Sequence, residues 1–321
     1  MSKVLLDNWE LSTCAGALLE GSDRRRRSQY GYYGNYRTNE SIESCWQNLL
    51  TCIVLWDDIY LNDDELSSSL DEMYVRELCS FITSHSDDPS FLHHIDRGAI
   101  PEWRPEYEVL RGLYERIRQN DKVSKEEIIL LLRGYTYITD SSWLGCNYLP
   151  HPRRATLLKD SKLFQKILDR RLYLDIVDED IKEFLDCISE LSNYQLEVVH
   201  FPVLYKFIHD NAKTPEEQLL MALSLREDRD AKKFRESLDT IENELEKGNR
   251  VGYYASIARA KEICDEITSQ IYKRPISIEV SLGLSPAINF GWEPKRRAKS
   301  KLHTTFLRKL ANYSLTGEYV Y

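Results

Sequence analysis

Five side chains between positions 133 and 154 have the types and spacing of an anion-binding site. Arg133 and Tyr137 are four residues apart, so on a helix, at about 100° per residue, they share one face with Asp140. Arginine guanidinium groups offer planar, bidentate donors to phosphate or carboxylate oxygens. The sequence therefore predicts a ligand site with these five members: Arg133, Tyr137, His151, Arg153 and Arg154.

The same residues also fit an internal network of salt bridges. In that interpretation Arg133 pairs with Asp140, and the arginines near 153 meet the segment Asp57–Asp88, which has ten acidic residues and one arginine. Ion-pair networks that only stabilise a fold are at least as common as ligand sites. The network is therefore the preferred interpretation, and the anion site stays open beside it.

A buried helix and a short loop would position these side chains. Ser124 and Glu127 have the spacing of a capping box, which predicts that a helix begins there. The apolar run that follows predicts a buried helix ending near Gly145, where glycine allows a left-handed C-terminal turn. Pro150 and Pro152 then predict a short extended loop that carries the histidine and the last two arginines.

A second set of candidate contacts lies between the first two predicted helices. Arginines and tyrosines are interrupted there by glycines, no helical period survives, and the sequence predicts a long loop. Tyrosines can stack on unpaired bases while arginines bind phosphates, and both residue types are enriched in protein interfaces. Nucleic acid, a protein partner and a solvated loop without a partner remain alternatives. The candidate contacts are Arg24, Arg25, Arg26, Arg27, Tyr30, Tyr32, Tyr33 and Tyr36.

A basic segment near the C-terminus is a third candidate contact. Lys295, Arg296 and Arg297 precede a predicted helix, whose N-terminus prefers acidic residues. A cationic run is out of place as a cap, which favours an anionic partner. The acidic segment of the same or another chain is the alternative.

The remaining titratable residues give no recognisable catalytic or metal-binding pattern. His94 could join Asp57 and Asp58 around a metal ion, but distant segments would have to converge and no metal-ligand spacing supports it. Ser141 and His151 are near each other in the sequence, yet adjacency along a chain is not the geometry of a catalytic triad. Because phosphate-binding glycine loops and nucleophile elbows are also missing, we expect no cofactor, no metal and no catalytic residue.

Composition places the chain in the class of soluble globular proteins. It has 321 residues, 42% hydrophobic and 30% charged, with a net charge of −9. None of the seven cysteines forms a Cys-x-x-Cys pair, which indicates reduced thiols rather than disulfides or a zinc ribbon. The longest apolar runs are too short for a bilayer, and acidic residues come too early for a signal peptide. We therefore expect a cytoplasmic protein without a membrane segment.

Hydrophobic periodicity predicts a mainly α protein, a multi-helix globular fold with a small C-terminal β-hairpin followed by a terminal helix. The predicted helices include Val4–Leu19, a buried helix at Ile42–Trp56, and one that follows a capping box at Thr214. Alternating apolar residues at 276–282 give the one convincing β signal. The terminal helix is predicted from about Lys299.

These elements suggest a body and a small C-terminal unit. The body is residues 1–272, which could be subdivided near 155–160, and residues 273–321 form a hairpin and basic helix packed on it. Uneven charge, abundant tyrosine and missing catalytic motifs predict a cytoplasmic helical binding or scaffolding component of a multi-protein assembly. Its partner would be another protein or a second copy of the chain.

Two other functions stay open. One is a nucleic-acid-binding accessory factor that uses the same cationic surfaces. The other is an enzyme or sensor for a phosphate-bearing ligand near Arg133, His151 and Arg154. A function without catalysis is preferred.

Overall fold

The computed structural model describes several separate parts of the chain. They are residues 3–20, 39–61, 69–95, 202–246 and 305–316, together with 133, 134, 136–138, 140, 141, 144–152, 154 and 155. Three predicted features lie outside the described residues: the candidate contacts of Arg24–Tyr36, those of Lys295–Arg297, and the C-terminal hairpin with its alternating residues at 276–282.

Short strands and longer helices alternate in the first part of the chain, and helices follow. In the described residues no helix is both long and apolar enough to cross a bilayer. The strands are β1 (Lys3–Leu6), β2 (Asp58–Leu61), β3 (Leu92–His94) and β4 (Asn147–Leu149). The helices are α1 (Asn8–Glu20), α2 (Asn39–Leu55), α3 (Ser69–His85), α4 (Pro202–Asn211), α5 (Pro215–Glu227), α6 (Arg229–Glu246) and α7 (Thr305–Thr316), and a 3-10 turn covers Pro89–Phe91.

The four strands form one parallel sheet in the order β3-β2-β1-β4. In the central strand β1, Leu5 pairs with Tyr60 of β2 and with Tyr148 of β4. Most described residues are helical, as predicted, but the sheet was not foreseen. Parallel sheets are buried on both faces, so their strands lack the apolar–polar alternation that marks a hairpin.

The first predicted helix is wrong at its start. Val4, Leu5 and Leu6 form β1, and the helix begins only at Asn8. All three strand side chains are almost fully buried. A short run of consecutive apolar residues suits a strand that is covered on both faces as well as it suits a helix, and periodicity alone does not separate the two.

Helix α2 lies at the centre of the core, close to its predicted range. It contacts α1, α4, α5 and α6. Cys45 and Cys52 are 0% and 2% exposed, which confirms that they are small core residues. Their burial alongside Leu49, Leu50 and Ile53 shows that α2 is covered on most of its circumference.

Two predicted helix boundaries are confirmed. The hydroxyl of Thr214 accepts a hydrogen bond from the Glu217 amide at 3.2 Å, and the Glu217 carboxylate accepts one from the Thr214 amide at 3.2 Å. Gly145 has a φ of +60°, in the left-handed region. The Cys146 amide then donates to the Ser141 carbonyl at 2.9 Å, which closes the end of the preceding helix.

The last described helix, α7, packs on α4 and α6. Phe306, Leu307 and Leu310 are completely buried in this contact region. Lys309 forms an ion pair with Asp230 at the start of α6. These contacts join α7 to the same core that contains α2.

Arg226 of α5 binds the carbonyl groups that follow from the end of α2. Its guanidinium donates to the carbonyls of Ile53 at 2.7 Å, Trp56 at 2.6 Å and Asp57 at 2.8 Å. The last carbonyls of a helix have no partner within the helix and carry partial negative charge. Burial, and then the nearby Arg235, lower the pKa of Arg226 to about 10. It is still charged at pH 7.

Arg235 of α6 extends this contact. It donates to the carbonyl of Val54 at 2.6 Å and to that of Arg226 at 3.0 Å, and its Nε lies 3.5 Å from Asp57 Oδ1. The two arginines, here called the arginine clamp, therefore provide positive charge beside the carbonyls at the end of α2 and beside Asp57. The clamp also fixes the chain just before β2 begins.

We predict that Arg226→Ala lowers the free energy of unfolding by about 2–4 kcal/mol, because buried carbonyls lose charged donors. Urea denaturation measures this change. Lys232→Ala is the matched control, since the Lys232 ammonium forms an exposed pair with Glu227 worth less than about 1 kcal/mol. Equal losses in both variants would contradict the role of the clamp.

Candidate functional site

The topology of the sheet changes between β1 and β4. From β1 the chain passes to its neighbour β2 and to the edge strand β3, and then forms β4 on the other side of β1. Connections leave two adjacent strands in opposite directions at such a switch point, and ligands of open parallel sheets bind outside the carboxyl ends of the strands there. Asp7 follows β1 and Pro150 follows β4 at this edge.

Asp7 ends the strand and begins the first helix. Its amide donates to the Leu149 carbonyl at 3.2 Å, extending the pairing of β1 with β4, and its carbonyl accepts from the Leu11 amide at 3.0 Å. Its Oδ1 accepts from the Trp9 amide at 2.8 Å, so Asp7 is the N-cap of α1. The side chain is fully buried.

The other carboxylate oxygen of Asp7 joins β1 to β4 and to the residues after it. Oδ2 accepts hydrogen bonds from the Tyr148 hydroxyl at 2.7 Å and from the His151 amide at 3.3 Å. Nη1 of Arg154 also donates to it in a fully buried ion pair. One carboxylate thus accepts four hydrogen bonds, from the first turn of α1, from β4 and from the residues that follow β4.

Aromatic rings surround the buried guanidinium of Arg154. Its Cζ lies 5.0 Å from the centroid of Trp9 and 5.1 Å from that of Tyr137. Trp9 meets His151 edge-on with centroids 5.7 Å apart, and Tyr137 meets Tyr148 at 5.5 Å. We call these five residues and Asp7 the switch-point cluster.

The residues after β4 turn directly into a helix. The Ala155 amide donates to the His151 carbonyl at 2.9 Å, and Pro152 and Arg154 are helical. The extended loop predicted at Pro150–Pro152 is therefore wrong in its second half. Proline needs no amide donor at the first helical position, so Pro152 starts this helix instead of extending the loop.

The charges of the cluster stabilise each other. Burial alone raises the pKa of Asp7, but the charge and hydrogen bond of Arg154, with help from His151 and Tyr148, bring it below its ordinary value. Burial also disfavours the charged form of Arg154, and Asp7 more than offsets this and raises its pKa. Burial, followed by Asp7, raises the pKa of Tyr148, so the phenol stays protonated and donates.

This geometry limits the chemistry that the cluster can perform. Because Asp7 accepts four hydrogen bonds as an ionised carboxylate, it is suited to holding other groups rather than to accepting a proton or attacking a substrate. Arg154 is held rigidly by Asp7 and carries a charge at the edge of the sheet. Among the described residues, no group of three or more His, Cys, Asp or Glu could hold a metal ion.

Three of the five predicted ligand residues meet around Asp7. They are Tyr137, His151 and Arg154. Arg133 is half-buried one helical turn before Tyr137, and Arg153 lies outside the described residues. Arg154 pairs with Asp7, a partner that the network interpretation did not include.

Sequence reasoning missed Asp7, Trp9 and Tyr148. An acidic residue directly after the short apolar run of residues 4–6 is a signal that could have indicated the end of a buried parallel strand. That signal was overlooked because the run was assigned to a helix. Without β1, nothing in the sequence relates Asp7 to residues more than 140 positions later.

The pair of adjacent histidines occupies the edge strand β3. His93 Nε2 lies 2.9 Å from Asp58 Oδ1, and the His93 ring stacks on Tyr60 with centroids 4.9 Å apart. His94 is exposed on the opposite side of the strand. His93 therefore contacts Asp58 of β2, a contact that the metal hypothesis had assigned to His94.

Comparisons with known proteins add no family. The chain matches no protein-family model, no curated protein and no solved structure. Function is therefore inferred from the geometry of the switch-point cluster.

We predict that Asp7→Asn lowers the free energy of unfolding by about 3–5 kcal/mol, because it leaves the charge of Arg154 buried without a counter-charge. Tyr148→Phe should cost about 1–2 kcal/mol, since it removes one donor. Chemical denaturation of both variants measures the difference.

The double variant Asp7→Asn/Arg154→Met provides the control. It removes both charges, so its loss of stability should be smaller than the sum of the losses of Asp7→Asn alone and Arg154→Met alone. An additive result, or a smaller loss for Asp7→Asn than for Tyr148→Phe, would contradict the central role of the carboxylate.

Proposed function

We propose that this chain binds a small phosphate-bearing ligand at the carboxyl edge of its sheet, between β1 and β4. The observation that supports this proposal is the location of Arg154, His151 and Trp9 together at the topological switch point. Open parallel sheets bind ligands at such a switch point, and arginine is a strong donor to phosphate oxygens. A fold stabilised only by apolar burial would not need an arginine there.

Electrostatics favour an anion over a cation at this edge. The ion pair of Asp7 and Arg154 is neutral overall, and the positive end of the α1 dipole points to the same place. Arg133 is half-buried one helical turn before Tyr137 of the cluster. Trp9 is partly exposed, so its ring offers an apolar surface beside the charged groups.

Asp7 has a positioning role in this proposal. A guanidinium that is already held by a carboxylate loses little conformational entropy when a ligand binds. The same carboxylate fixes the first turn of α1 and the turn that starts at His151. Removing Asp7 would therefore damage the site through the fold, and tests of binding need other variants.

We predict that inorganic pyrophosphate or a nucleoside diphosphate stabilises the chain in thermal unfolding. A ligand at one hundred times its Kd adds about 2.7 kcal/mol to the free energy of unfolding. His151→Asn keeps a side chain that can cap the following turn but removes the imidazole ring, and Arg133→Gln removes a positive charge. Each variant should weaken binding about tenfold or more, because an amide is a weaker donor to an anion than a guanidinium and does not reach as far as an imidazole. Isothermal titration calorimetry measures the Kd.

The matched control is Arg76→Gln on α3. Arg76 forms an exposed pair with Glu72 and lies on another element, so its loss should leave the Kd unchanged. Equal weakening in all three variants would indicate general charge attraction. Absence of any stabilisation by pyrophosphate, inorganic phosphate or nucleotides would refute the proposal.

The other functions stay predictions. Assembly through a protein partner or a second copy, and binding of nucleic acid, depend on Arg24–Tyr36 and Lys295–Arg297, which lie outside the described residues. A cytoplasmic location is likewise an inference from the sequence. None of these is favoured by a contact in the described part of the chain.

A further inference from the structure

A group of polar side chains is buried between α1 and α2, away from the switch-point ion pair. Three members lie on one face of α1 at spacings of three and four residues, and three face them from α2 at spacings of three and four. All six are at most 5% exposed. The members are Glu10, Thr13, Cys14, Cys45, Asn48 and Cys52.

Glu10 contributes a carboxyl group to this interface. Its Oε1 accepts a hydrogen bond from Asn48 Nδ2 at 2.8 Å, and the Cys45 thiol also bonds to the carboxyl. Its Oε2 and the Thr13 hydroxyl have no hydrogen-bond partner within the described residues. No arginine or lysine of these residues pairs with Glu10, in contrast to Asp7 one turn earlier.

Besides burial, three groups act on the pKa of Glu10: hydrogen bonds from Cys45 and Asn48 lower it without offsetting the effect of burial, and the charge of Asp7 raises it. Glu10 in turn adds to the effect of burial and raises the pKa values of Cys14, Cys45 and Cys52. No titratable group of α3 or α5, which also pack on α1, is among the causes of its shift. An amide and weak thiol donors are the support that the carboxyl has.

We propose that Glu10 is a proton-operated switch for the contact between α1 and α2. In its protonated form it is a neutral, hydrogen-bonded part of the interface. When it loses the proton, a charge without a counter-charge is buried next to Asp7, and α1 separates from α2 so that the carboxylate reaches water.

The pH range of the switch follows from the two states of Glu10. Burial, and then Asp7, raise the pKa of Glu10 in the folded chain to about 8, against 4.5 for an unperturbed glutamate. A raised pKa in the folded state contributes stability that is fully present below pH 4.5 and is lost as the pH rises to about 8. Opening of the interface should therefore increase by up to about tenfold per pH unit within this range.

The three buried thiols report the opening directly. Burial and then Glu10 raise the pKa of Cys45, so the thiol reacts slowly while the interface is closed. We expect alkylation of Cys45 by iodoacetamide, read residue by residue by mass spectrometry, to accelerate between pH 6 and pH 8. Cys146 lies outside this interface, beside β4, and serves as the internal reference.

Glu10→Gln separates the switch from the ordinary pH dependence of thiols. The glutamine has the shape of the protonated acid and cannot ionise. The ratio of the Cys45 and Cys146 alkylation rates should therefore increase less with pH than in the wild type, by a factor of up to about ten per pH unit. Glu43→Gln, an exposed position on α2, removes an equal formal charge and should behave as wild type.

Thermal unfolding gives a second, independent measurement. The wild-type Tm should fall between pH 5 and pH 8 relative to that of Glu10→Gln, and the two curves should run parallel above pH 8. If both proteins show the same pH dependence of Tm and of the thiol ratio, the proposal is wrong. No ligand takes part in either measurement, so failure of the phosphate-site proposal would leave this result unaffected.

Discussion

The fold depends on a single buried carboxylate. Asp7 pairs with Arg154, accepts donors from Tyr148 and from the backbone, and caps α1, all without contact with water. A buried ion pair yields little net stability compared with apolar side chains, because both charges lose their hydration. What Asp7 contributes is geometry, since it requires β1, β4, α1 and the turn after His151 to meet at one point.

Two acidic residues on one helical turn have opposite ionisation because their partners differ. Asp7 and Glu10 are equally buried. The guanidinium of Arg154 pairs with Asp7 and lowers its pKa, whereas Glu10 has an amide and a thiol as donors and its pKa stays raised. Pairs of groups whose surroundings separate their pKa values often mark places where proteins handle protons. The start of α1 thus has one carboxyl group that stays ionised, Asp7, and one that can gain or lose a proton near neutral pH, Glu10.

Helix ends and buried helices could be predicted from the sequence, but the sheet and half of the cluster could not. The capping box at Thr214 and the turn at Gly145 are signalled by residue types a few positions apart. Tyr137, His151 and Arg154 were found through helical spacing and chemistry. Asp7 was not, because its role depends on strand pairing across more than 140 residues, and strands of three or four residues are too short for periodicity to reveal them.

The arginine clamp implies an order of events during synthesis of the chain. Arg226 binds carbonyls that lie 169 to 173 residues earlier, at the end of α2 and just before β2. Arg226 can donate to those carbonyls only after more than two thirds of the chain has left the ribosome. Contacts of such long sequence separation form slowly. The N-terminal helices and strands should therefore remain open to chaperones until α5 and α6 arrive.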